Sequence, residues 1–145
     1  MVSGLEYEVS ADVTKQVNIN ANYTYLRARE TTQNRITNID TVTYDYLLRR
    51  PKHNVNITIG FQATDALFLS LTGKYVSTRY DVGGYAKEDK ALNHYFIAGA
   101  NASYALNKHY NFFANAQNIT NKKFFDVRGY NSIPALINAG ITANW

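Results

Sequence analysis

Asn54-Val55-Asn56-Ile57-Thr58-Ile59-Gly60-Phe61-Gln62-Ala63 changes character at every residue, with Val55, Ile57, Ile59, Phe61 and Ala63 alternating with Asn54, Asn56, Thr58, Gly60 and Gln62. Successive side chains of a β-strand point to opposite faces, so this stretch predicts a strand with one apolar and one polar side. The pattern recurs in both directions. Upstream, Leu5, Tyr7, Val9, Ala11 and Val13 oppose Glu6, Glu8, Ser10 and Asp12; Val17, Ile19, Ala21, Tyr23 and Tyr25 oppose Asn18, Asn20, Asn22 and Thr24. Downstream, Leu67, Leu69, Leu71, Gly73 and Tyr75 oppose Ser70, Thr72 and Lys74. A strand over about 93–105 sets Phe96, Ala98, Ala100, Ala102 and Tyr104 against Gly99, Asn101 and Ser103. Tyr110, Phe112, Ala114 and Ala116 then oppose Asn111, Asn115 and Gln117, and Ile137, Ala139, Ile141, Ala143 and Trp145 oppose Asn138, Gly140, Thr142 and Asn144. The expectation is an all-β chain of about seven antiparallel strands.

The connections alternate as well. Thr14-Lys15-Gln16, Thr64-Asp65 and Asn107-Lys108 are tight turns, whereas residues 30–49, 81–92 and 119–133 are long and polar. Short turns at one end and long loops at the other are the habit of transmembrane β-barrels of bacterial outer membranes, where the long loops are extracellular.

Composition agrees with a wall between lipid and water. The chain has 145 residues, 46% of them hydrophobic and 14% aromatic, with twelve Tyr, yet its mean hydropathy is −0.34. Apolar residues are abundant but interleaved, and no run approaches the roughly 18 apolar residues of a membrane-spanning helix. A barrel strand needs only about 9–11 residues of alternating character. The polar faces carry mainly Asn, Thr, Ser and Gly, with fewer of the Lys and Glu expected on a solvated soluble surface. The apolar faces place Ala and Gly mid-strand and aromatics nearer the ends, like a lipid-facing band between aromatic girdles. A soluble β-sandwich or lipocalin-like barrel is the alternative with the same alternation.

Cysteine is absent, which removes disulfide frameworks and thiolate metal sites. The net charge of +4 is spread along the chain, without the basic stripe of a nucleic-acid binder. No charged and apolar leader follows Met1, so Met1 is expected to mark a fragment boundary. Catalytic chemistry finds no support. Glu6 and Glu8 stand about 7 Å apart on one strand face, a separation glycosidases also use, but lumen-facing charge is the simpler reading. His53, His94 and His109 lie on separate segments, so no metal or other cofactor is expected. The charges Arg79, Asp81, Lys87, Glu88, Asp89 and Lys90 are expected to be solvated loop charge, with Arg79 a candidate ligand contact.

The most specific local motif is Asn138-x-Gly140-x-x-Ala143-x-Trp145. It resembles the outer-membrane insertion signal read by the barrel-assembly machinery, an edge strand ending in an interfacial aromatic and offered for strand pairing. Two further stretches, Ser3-Gly4-Leu5-Glu6-Tyr7-Glu8 and Ala116-Gln117-Asn118-Ile119-Thr120-Asn121-Lys122-Lys123-Phe124, are similar to conserved segments of the TonB-dependent outer-membrane receptors. With the last strand they align residues 1–145 to the C-terminal part of that family's barrel. The resemblance implies a bacterial outer-membrane protein in contact with lipid, a barrel of 22 strands and a small-molecule ligand. It also implies partners absent from this sequence: the remaining strands, and a plug that answers to TonB.

Leu47-Leu48-Arg49-Arg50-Pro51-Lys52-His53 and Tyr75-Val76-Ser77-Thr78-Arg79-Tyr80-Asp81 are most like the cobalamin (vitamin B12) receptors of the family, whose siderophore and haem receptors share the barrel pattern. There an Arg and a loop Tyr contact the corrin. The Arg carries over to Arg49; Gly84 holds the aligned Tyr position, and Tyr85 follows one residue later. The rival reading is a stand-alone barrel with a structural or adhesive role, in which Ile36–Tyr46 supplies an eighth strand.

Overall fold

The computed structural model describes residues 1–145 and contains strands only: β1 (Val2–Asp12), β2 (Val17–Ala28), β3 (Glu30–Gln33), β4 (Thr41–Tyr44), β5 (His53–Gln62), β6 (Leu67–Val76), β7 (Arg79–Asp81), β8 (Lys90–Leu92), β9 (Tyr95–Ala105), β10 (Tyr110–Gln117) and β11 (Leu136–Ala143). Seven of them form one antiparallel sheet in the order β1-β2-β5-β6-β9-β10-β11. All seven strands expected from alternation are present, each paired with its neighbours in the chain.

The register keeps the two faces separate across the sheet. Ala11, Ile19, Ile59, Leu71, Ala100, Ala116 and Ile137 are successive cross-strand partners, forming one apolar row over seven strands. On the other face the row Asp12, Asn18, Gly60, Ser70, Asn101, Asn115 and Asn138 is polar throughout. A slip of one residue at any pairing would swap the faces, so the alternation itself fixes the register. Neighbouring polar side chains bond to one another, as in Asn56 Nδ2 to Asn22 Oδ1 (2.8 Å) and Asn101 Nδ2 to Ser70 Oγ (3.0 Å).

The apolar face is bare. Only 12 of 145 residues are buried, far too few for a soluble sandwich, which would cover this face with a second sheet. Ala and Leu fill the middle of the face, and aromatics stand at both ends. Tyr7, Tyr23, Tyr75 and Phe96 form one belt, Phe61, Tyr104 and Phe112 the other. From Phe96 to Tyr104 a strand rising about 3.4 Å per residue covers roughly 27 Å. At a tilt of about 35–45° this spans roughly 19–22 Å along the membrane normal, close to an apolar band of about 25 Å.

The three short connections are built alike. The N–H groups of Val13, Ala63 and Leu106 donate to the carbonyls of Val17, Leu67 and Tyr110 at 2.9, 2.9 and 3.0 Å. A side-chain oxygen on the next residue then accepts two N–H groups. Thr14 Oγ1 takes those of Gln16 and Val17 (3.1 and 3.0 Å), Thr64 Oγ1 those of Ala66 and Leu67 (3.3 and 3.0 Å), and Asn107 Oδ1 those of His109 and Tyr110 (2.8 and 3.0 Å). A short polar side chain closes such turns by standing in for a backbone acceptor.

The opposite end corrects two expectations. Thr41–Tyr44 is a strand, but it pairs with Glu30–Gln33 in a separate hairpin. It adds no eighth strand to the wall, and the sheet stays open between β1 and β11, so a closed eight-stranded barrel does not form. Glu30-Thr31-Thr32-Gln33 has no apolar face to offer the lipid side, which is why that hairpin stands apart. Residues 81–92 likewise are not plain loop, since β7 and β8 pair there.

Candidate functional site

Three connections (residues 29–52, 77–94 and 118–135) meet at the long-loop end, and Asp81 is where they join. Its carboxylate has no solvent exposure. Oδ1 accepts from Arg49 Nε at 2.7 Å and from the Val82 N–H at 2.8 Å; Oδ2 accepts from the Arg128 N–H at 2.7 Å. Each of the three connections thus supplies one member. Burial alone would raise the carboxyl pKa, but the Arg128 N–H, the Arg49 guanidinium and the Val82 N–H outweigh it and hold it below its ordinary value. The Arg49 N–H also donates to the Tyr80 carbonyl at 2.7 Å, with Arg49 at φ 60°.

Two further arginines brace the same end. Arg79, only 2% exposed, donates to Asp126 Oδ1 at 2.6 Å and to the Phe125 carbonyl. Tyr95 adds a bond from its hydroxyl to Asp126 at 2.9 Å and stacks on Phe124 at 4.0 Å. Arg35 bridges Glu30 and the buried Asp89 while lying 4.0 Å over the Tyr44 ring. Tyr46 donates to Asp89 at 2.9 Å and stacks on Tyr80 at 4.1 Å. Burial first, and the hydrogen bond to Asp89 second, push the Tyr46 hydroxyl up to about 12.

The resemblance segment around Asn118 acquires a physical role. Asn118 and Asn121 both adopt left-handed backbone (φ 47° and 49°), a conformation Asn tolerates better than other side chains. Asn118 Nδ2 donates to the carbonyls of Lys122 and Ile133 at 3.0 and 2.9 Å, and its Oδ1 accepts the Lys122 N–H at 2.9 Å. Asn121 Oδ1 accepts the Ala135 N–H at 3.0 Å. The last connection is closed on itself by two amides.

The charges expected to be solvated therefore divide. Asp81, Asp89 and Arg79 are buried and paired, while Lys87, Glu88 and Lys90 are exposed. Of the candidate ligand contacts, Arg79 is committed to Asp126, and Tyr85 is 90% exposed at the tip between β7 and β8. Arg49 is exposed but tethered: its side chain is 49% exposed and only Nε is bonded, leaving both terminal nitrogens without a protein acceptor. Asp126, Arg128, Arg35 and Tyr46 escaped sequence reasoning because their partners are remote in the chain.

The terminal motif lies on the open edge. Asn138 faces Asn115, Ala143 faces Tyr110, and Trp145 is fully exposed. Gly140 faces Phe113, and a Cβ there would sit 2.6 Å from the Phe113 ring. Any side chain at 140 would have to push that ring aside.

A sheet with one polar face, one bare apolar face belted by aromatics, and loops long at one end only is part of the wall of a transmembrane β-barrel. Residues 2–119 match the family described as TonB dependent receptor-like, beta-barrel, and the chain belongs to that family, whose members reside in the outer membrane of Gram-negative bacteria. The fold recurs in the ferric-catecholate import receptor Fiu of E. coli K12 (18% identity, TM-score 0.77, 97% of this chain and 20% of that one). It recurs in the siderophore receptor PiuA of Acinetobacter baumannii (19%, 0.76, 97% and 21%) and the ferric enterobactin receptor PfeA of Pseudomonas aeruginosa (21%, 0.72, 98% and 22%). The chain spans about a fifth of the length of these solved receptors. No curated protein matches in sequence.

Proposed function

We propose that residues 1–145 are the C-terminal part of the barrel of a TonB-dependent uptake receptor, a transporter and not an enzyme. The long loops meet a large nutrient outside the cell, and a plug elsewhere in the receptor, moved by TonB, admits it. The observation carrying this reading is a cross-linked loop mouth on a lipid-facing wall: Asp81 joins three loops and leaves Arg49 half exposed beside them. A ferric siderophore is the leading ligand, supported by the likeness to the ferric-catecholate and ferric enterobactin receptors. Cobalamin is the second reading, supported by Leu47–His53 and Tyr75–Asp81.

Arg49 and Tyr85 are the proposed ligand contacts. Arg49 is held at Nε and keeps both terminal nitrogens free, so little ordering remains to be done on binding. Arg79 shapes the mouth through Asp126. In the full-length receptor, Arg49→Ala lowers affinity for ferric enterobactin about 10–100-fold, the effect of one charged hydrogen bond. The same loss for cyanocobalamin instead selects the second ligand, and unchanged binding of both removes Arg49 from the site. The segment Asn138-x-Gly140-x-x-Ala143-x-Trp145 is the proposed signal for the barrel-assembly machinery. Trp145→Ala is expected to reduce the heat-modifiable receptor recovered in outer membranes.

A further inference from the structure

A group of cations lies just beyond the aromatic belt. Register runs unbroken from Leu5↔Tyr25 to Ser3↔Arg27, so Arg27 shares the lipid-side face of Tyr25. Lys52, immediately before β5, brings its ammonium to 5.8 Å from the Tyr25 ring. Arg29 and Arg50 complete a groove of about 420 Å³ also bordered by Asp45 and Tyr46. All four cations are exposed. Only Arg29 has a carboxylate partner, Asp45 at 2.9 Å, with side chains 60% and 79% exposed. Such a pair is weak enough to exchange. Four cations thus face one carboxylate.

Height decides what they meet. Arg27 stands two residues beyond Tyr25 and four beyond Tyr23 of the belt. Four residues are about 14 Å along the strand and roughly 10 Å along the membrane normal once the strand tilt is counted, which carries Arg27 through a headgroup layer roughly 5–8 Å thick to its outer surface. The long-loop end is the outer one. We infer that this groove binds the phosphorylated headgroup of an outer-leaflet glycolipid. Two arginines can each take a phosphate through paired N–H donors, Lys52 adds a point charge, and Tyr25 supplies an apolar floor against the acyl side. A lipid-borne phosphate fits better than a free one because the groove continues the apolar face. The inference is independent of which nutrient the loops take.

The test uses the full-length receptor in phosphatidylcholine nanodiscs, with bis-phosphorylated lipid A and its dephosphorylated form as probes. Bound glycolipid is read by native mass spectrometry. The phosphorylated form is retained and the dephosphorylated form is lost. The combined variant Arg27→Gln, Arg50→Gln and Lys52→Gln weakens retention roughly fivefold per cation, about a hundredfold together. Heat-modifiable migration confirms that the variant folds, and Lys87→Gln with Lys90→Gln, cations of another loop, leaves retention unchanged. Equal retention of the two lipids, or no loss in the triple variant, overturns the proposal. Displacement of the glycolipid by millimolar inorganic phosphate overturns it too, by identifying a site for free anions.

Discussion

At the short-turn end, one side-chain oxygen per connection (Thr14, Thr64 or Asn107) organises a turn from its own immediate neighbours. At the long-loop end, one carboxylate gathers groups from residues 49, 82 and 128. The first device is local, repeated and wet; the second is unique, remote and dry. A local device fails alone, whereas a shared one fails for all its members. The loop mouth is therefore cooperative, and the turns are independent.

Asp81→Ala breaks the comparison hardest. It strands the N–H groups of Val82 and Arg128 and frees Arg49, at a cost of about 2–3 kcal/mol. Limited trypsinolysis within residues 77–94 and 118–135 accelerates while the melting of the wall stays put. If both move together, the mouth is not a separate unit. The same lock responds to acid. Because the Asp81 pKa is lowered, its contribution is complete above the ordinary value of about 3.9 and is lost as pH falls through the lowered one. Tyr46, raised to about 12, contributes below pH 10 or so and loses that contribution as pH climbs from about 10 to 12. Near-ultraviolet circular dichroism of the stacked Tyr46 and Tyr80 follows both transitions; a signal constant from pH 5 to pH 2 argues against the acid lock.

Gly140→Val sharpens the contrast from inside the wall. The added carbons meet the Phe113 ring, costing about 1–3 kcal/mol by overpacking. Gly140→Val with Phe113→Ala recovers most of it; denaturant titration that finds no recovery would exclude the ring as the cause. The smallest effect belongs to the turns. Thr64→Ala costs about 0.5–1 kcal/mol, the value of an exposed hydrogen bond, and Asn107→Thr costs almost nothing because Thr already fills the equivalent place twice.

This division also explains what could be read from the chain alone. Period-two alternation revealed every wall strand, since Val55-Asn56-Ile57-Thr58 must put its apolar carbons on one side whatever surrounds it. The turns were visible for the same local reason. The mouth was not: Arg35 and Asp89 lie 54 residues apart, Arg79 and Asp126 47, Arg49 and Asp81 32. No spacing rule joins such partners, so Asp81 and Asp89 read as ordinary solvated charge. Thr41-Val42-Thr43-Tyr44 misled in the opposite way. Its alternation is real, but it serves a small hairpin. Arg49 was singled out as a candidate contact through family resemblance, and its tie to Asp81 emerges only through the fold.

The order β1-β2-β5-β6-β9-β10-β11 also governs how the wall can be assembled. Each wall strand pairs with the wall strands next before and after it in the chain, so topology demands no distant encounter. Closure entropy still differs from junction to junction. Closing residues 29–52 costs about 1.5 kcal/mol more than closing a four-residue turn, because the penalty grows with the logarithm of length. Hairpins β1–β2, β5–β6 and β9–β10 are therefore the natural quanta of growth, each zipping before it docks on the last. A membrane wall made this way lengthens two strands at a time.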